Sequence, residues 1–93
     1  MTDLEPVRVV QLHLLRHAHA GDYATWDGPD EARPLTPRGE RQADRLGRFL
    51  AGIGFRTDAI ITSPKVRALQ TAEIVAERLG VPFAIDDRLA GDV

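Results

Sequence analysis

Two places in this sequence carry side chains suited to one demanding task, the handling of a phosphoryl group. The first is Arg16-His17, where a long apolar run ends abruptly; the second is Ser63 to Arg67, just after another apolar stretch. A phosphoryl group is a dianion with three peripheral oxygens, which planar guanidinium forks and free N–H groups at helix starts can hold. A neutral imidazole, with a pKa near ~6.5, is largely unprotonated at pH 7 and can attack phosphorus. His17 is therefore the candidate nucleophile, and Arg16 and Arg67 are the candidate oxygen binders. Each alone would be ordinary polar surface; the interest lies in whether the fold brings them together.

The elements that must position them can be read from pattern. Val7–Leu15 is a near-continuous Val/Leu-rich run, as expected of a strand buried on both faces. Residues Ala18 to Leu35 hold Gly21, Gly28, Pro29 and Pro34 and predict a long loop, a length that in compact domains is usually functional or disordered. Thr36-Pro37 predicts a helix start, with threonine as cap and proline in the first turn. Ala43, Leu46, Leu50 and Ile53 mark its buried face, and Gly52 and Gly54 its end. Ala59–Thr62 predicts a second strand. Ser63-Pro64 opens a second helix with Leu69, Ala72, Val75, Ala76 and Leu79 inward, and Gly80 closes it. Phe83–Ile85 is a third strand.

Strand, helix, strand, helix, strand implies parallel strands joined by right-handed crossovers, hence an α/β fold. In such sheets ligands bind beyond the carboxyl ends of the strands, where Arg16, His17, Ser63 and Arg67 all fall. No linker or repeat divides residues 1–93, so one domain is expected.

Composition limits the alternatives. With 12 basic and 14 acidic residues the net charge is −2, and basic residues alternate with acidic ones in 37–48, so no nucleic-acid partner is expected. There is no cysteine, which excludes disulfides, thiolate metal sites and a cysteine nucleophile. The acidic start resembles no targeting segment and no apolar run reaches the ~20 residues of a membrane span, so a cytoplasmic protein without a membrane partner is expected.

Three segments resemble one known family. Leu14-Leu15-Arg16-His17-Ala18 resembles the Arg-His-Gly signature of the histidine phosphatase superfamily, with alanine in the usual glycine place. Leu35–Ala43 is similar to that family's loop-to-helix segment, and Ser63–Ala72 to its second arginine motif. The resemblance implies a phosphoglycerate mutase-like three-layer α/β/α fold with a mostly parallel sheet, here its amino-terminal βαβαβ portion. It implies a phosphatase that works through a phosphohistidine at His17, with Arg16 and Arg67 binding the transferred oxygens. His19 and Ser63 are expected to support substrate binding, with no cofactor and no metal. The family's second catalytic histidine has no counterpart after His19, so these 93 residues alone are expected to lack full activity.

Asp30-Glu31-Ala32-Arg33-Pro34-Leu35-Thr36, close behind Arg-His-Ala, looks most like the SixA-type phosphohistidine phosphatases. Many relatives carry a glutamate two residues past a leucine, to protonate an alkoxide leaving group. Leu89-Ala90-Gly91 has no acid there, although Asp92 stands one residue on. A leaving imidazole is less basic than an alkoxide and needs less help, which suits phosphohistidine. The expected partner is thus a phosphorylated protein, with a small phosphorylated molecule, as in phosphomonoesterases and mutases, as runner-up.

Two rivals belong to other classes. His17-Ala18-His19 is a His-x-His pair at a strand end, where some amidohydrolases hold zinc, but that leaves the Ser63–Ala72 match unexplained. A non-catalytic phospho-binding module would bind phosphate without turnover.

Overall fold

The structure, a computed structural model, describes residues 17–90. The predicted first strand, Val7–Leu15, lies outside these residues, as does Arg16. Helix α1 spans Pro37–Gly52, strand β1 Ile60–Thr62, helix α2 Val66–Leu79 and strand β2 Phe83–Ile85. β1 and β2 are parallel neighbours in register Ile60 to Phe83, Ile61 to Ala84 and Thr62 to Ile85, and α2 is the crossover between them. The second half of the expected alternation is thereby an incomplete α/β arrangement, as predicted.

Local signals explain the boundaries. The Thr36 hydroxyl accepts the Gly39 N–H, and Pro37 occupies the first helical position. α2 stops at Gly80, whose left-handed conformation (φ 69°) lets the N–H of Val81 reach back to the Ala76 carbonyl at 3.1 Å. The start of α2 differs from expectation. The chain bends at Pro64 and Lys65, and the helix begins at Val66 with Lys65 as its cap residue. A residue preceding proline is disfavoured in helical conformation, which keeps Ser63 outside the helix.

The core lies between the helices. Ala43 of α1 and Ala72, Val75 and Ala76 of α2 are buried, together with Leu35 from the loop. Small residues let the helices approach: a Cβ added at Gly47 would stand 2.8 Å from Cβ of Arg78 and 3.4 Å from Cα of Val75. The sequence placed Ile53 on the buried face of α1, but it is 63% exposed, because it follows the last helical residue and turns away. The 18–35 segment, read as a plain loop, contains two 3-10 turns, Tyr23–Thr25 and Asp30–Ala32.

Candidate active site

His17 opens the described chain and is half-buried. Its Nδ1 lies 2.7 Å from the carbonyl oxygen of Ala18. A carbonyl can only accept, so Nδ1 carries the proton of the neutral ring and Nε2 keeps a free lone pair. The backbone thus selects the tautomer that a phosphorus nucleophile needs.

The loop around His17 is fixed from two helices. The Ala18 N–H donates to Oγ1 of Thr71 at 3.1 Å, and that hydroxyl donates to the Arg67 carbonyl at 2.8 Å. Thr71 stands one helical turn after Arg67, so both project on one side of α2. From α1, Gln42 Oε1 accepts the His19 N–H at 3.0 Å, and the Thr36 N–H donates to the His19 carbonyl at 3.0 Å. Gly39 lies so close that an added Cβ would sit 1.9 Å from that carbonyl oxygen. The glycine is needed for this approach, not for its dihedral freedom. Farther along, the Leu35 N–H donates to Gln70 Oε1 at 2.7 Å, tying the loop to α2 again.

Arg67 is buried, with Nη1 donating to the Asp30 carbonyl at 2.8 Å and Nη2 to the Asp30 carboxylate at 2.9 Å. Two different terminal nitrogens meet one residue, so Asp30 takes the end of the guanidinium fork. The side edge, where Nε–H runs beside the second Nη2–H, is left over. Nε is buried and has no hydrogen-bond partner among the described residues. Leaving such a donor unmade costs about 1–3 kcal/mol, and an anion with two oxygens would satisfy that edge.

Arg33 steadies Asp30 from the other side through Nε at 3.2 Å, and its Nη1 donates to the carbonyls of Ala20 and Gly21. The hydrogen bond from Arg67 holds the Asp30 carboxyl below its ordinary value of 3.8, with Arg33 assisting and partial burial opposing. Arg78 and Arg48 likewise hold Asp44 down against its partial burial, and Arg88 holds Asp86 down. A carboxyl depressed on folding stabilises the fold above its unfolded pKa and loses that contribution as pH falls through the folded one. The thermal midpoint should therefore fall as pH is lowered below about 4. Asp30→Asn should show a shallower fall over the same window in pH-dependent melting; an unchanged slope would refute the link.

The sequence-predicted residues thus separate. The His17 loop and the Arg67 helix are joined through Ala18 and Thr71. His19 is exposed, its Nδ1 is 2.8 Å from the Thr36 hydroxyl, and it belongs to the loop–helix junction. The Ser63 hydroxyl accepts the Lys65 N–H at 3.4 Å within its own turn. Asp30, Thr71, Gln42 and Gln70 were not anticipated; only Thr71 had a signal, its four-residue spacing from Arg67. Among the described residues, no three His, Asp or Glu side chains are grouped as a metal site requires. No described helix is long and apolar enough to cross a membrane.

Residues 12–91 match the histidine phosphatase superfamily (branch 1), and the chain belongs to that family. It is 40% identical over 75 residues to the 2,3-bisphosphoglycerate-dependent phosphoglycerate mutase of Thermobifida fusca, covering 75% of this chain and 29% of that protein. It is 36% identical over 81 residues to the mitochondrial serine/threonine-protein phosphatase Pgam5 of Drosophila persimilis, covering 84% and 27%. In three dimensions it resembles the structure assigned as phosphohistidine phosphatase SixA of Agrobacterium tumefaciens. That likeness has a TM-score of 0.69 and 28% identity, and covers 80% of this chain and 48% of that one. The chain spans less than half the length of each of these proteins.

Proposed function

We propose that the protein containing this chain is a phosphatase that carries the phosphoryl group on Nε2 of His17. Arg16 and the side edge of Arg67 hold the phosphoryl oxygens in this reading. The observation that supports it most is a linked pair: the loop of His17, whose Nδ1 faces a carbonyl, is hydrogen-bonded through Ala18 and Thr71 to the turn of α2 carrying Arg67, whose buried Nε has no hydrogen-bond partner among the described residues. In the first step the bond from phosphorus to the leaving group breaks as the Nε2–P bond forms, and the leaving group takes up a proton. Water then attacks phosphorus, breaks the N–P bond and releases orthophosphate, returning its proton to solvent.

Phosphohistidine in a protein is the favoured substrate. Its imidazole leaves with less help from an acid than an alkoxide needs, and Leu89-Ala90-Gly91 offers no carboxylate. The likeness to a SixA structure points the same way. A small phosphomonoester is the second reading, supported by the similarity to a phosphoglycerate mutase.

The test is covalent labelling of the complete protein with phosphoramidate, quenched in base. An acid-labile, base-stable label mapping to His17 is expected. Turnover with the label elsewhere, or without any label, would overturn the proposal. Comparing turnover of a phosphohistidine peptide and a sugar phosphate then separates the two substrate readings.

A further inference from the structure

Helix α1 carries four arginines at positions 38, 41, 45 and 48, spaced three, four and three residues apart. At 100° per residue they fall within an arc of about 80°. The buried residues of the helix, Gly39, Ala43 and Gly47, lie on the opposite side. All four arginines are exposed. Arg48 is paired with Asp44 at 2.9 Å, but Arg38, Arg41 and Arg45 form no ion pair among the described residues. Like charges at such spacings weaken a helix, so the folding of α1 gives no reason for this alignment. Nor does overall basicity, since the net charge is −2.

Position supplies a reason. The stripe begins at Arg38, beside Gly39, which abuts the His19 carbonyl two residues from His17. It then runs outward for about 15 Å. Phe49, 60% exposed, stands at the margin of the same outer side. Arginine and exposed apolar anchors are the residue types that carry binding energy between proteins.

We infer that the outer face of α1 is a docking surface for an acidic segment of the phosphorylated substrate protein. The inference rests on the phosphatase reading and extends it, by making charge flanking the phosphohistidine a determinant of specificity. A partner seated there would run from the rim of the His17 loop along the helix. An anionic bilayer is disfavoured, because an extended plane would also meet Asp44, about 40° from Arg48 around the same helix.

Two phosphohistidine peptides test this on the complete protein, one flanked by four Glu residues and one by four Gln, with phosphoramidate as a small donor. Wild type should favour the acidic peptide by about tenfold or more in kcat/KM, with a preference that shrinks as salt rises. Arg41→Glu/Arg45→Glu should lose that preference while phosphoramidate turnover stays within about twofold, since neither side chain forms an ion pair among the described residues, the His17 loop included. Equal use of both peptides by wild type, or a preference that survives the double variant, would overturn the inference. Binding of the unphosphorylated acidic peptide, read by fluorescence anisotropy, tests docking independently of turnover. If no substrate is turned over but that binding is lost in the variant, the phosphatase reading fails and the docking surface stands. Binding to anionic vesicles in preference to the peptide would count against an acidic protein segment.

Discussion

Asparagine at position 17 should leave the fold intact and lower turnover by about 10⁴-fold or more, the scale seen when a nucleophile is removed. The amide nitrogen of asparagine sits where Nδ1 of histidine does, so it can still donate to the Ala18 carbonyl, now at 2.7 Å from the ring. What disappears is Nε2, the atom that would bond to phosphorus. Vanadate or orthophosphate should still bind within a few-fold of wild type, since the arginine donors are untouched. Steady-state kinetics and anion titration on the complete protein provide the check. Residual turnover above about one per cent would show that His17 is not the covalent carrier.

Gly39→Ala should be the most damaging of the conservative changes. The new methyl would lie 1.9 Å from the His19 carbonyl oxygen and 2.9 Å from its carbon, both backbone atoms with no rotamer to yield. Either the start of α1 or the His17 loop must retreat. Both movements loosen the Thr36 N–H to His19 carbonyl bond and the grip of Gln42 on the His19 N–H. Overpacking of this kind costs about 1–3 kcal/mol. A loop shift near 1 Å costs about 100-fold in rate. Gly52→Ala is the control. A Cβ there meets nothing within 4 Å, so alanine should be neutral or stabilising by up to about 1 kcal/mol. Melting should therefore fall for Gly39→Ala and hold or rise for Gly52→Ala, with turnover lost only in the first, and equal effects would show that the contact at Gly39 is unimportant.

The sequence made visible what depends on local pattern. Thr36-Pro37 and Gly80 marked helix ends because capping and left-handed turns are short-range. The crossover order of β1, α2 and β2 followed from alternation alone. The surroundings of Arg67 were hidden for the opposite reason. Asp30 stands 37 residues away, in a segment whose glycines and prolines announced only a loop. Nothing in such a segment tells which carboxylate will turn inward. The surroundings of His19 were hidden similarly: adjacency to His17 suggested a substrate contact, and nothing local showed that its ring would meet the Thr36 hydroxyl 17 residues on. The arginine stripe was present in the sequence but masked, because acidic residues alternate with it in the linear order and only the helical turn separates them.

Gly39 and Gly47 touch different neighbours, the loop at one end of α1 and α2 along its middle. Eight residues, about 12 Å of helix, separate these two fixed points. One residue inserted between them would swing everything beyond it by about 100°, carrying Gly47 off Arg78 and Val75 and setting a bulky side chain there instead. Length variation among homologous chains should accordingly spare this interval and gather in the stretches 21–29 and 53–59, where added residues disturb neither anchor.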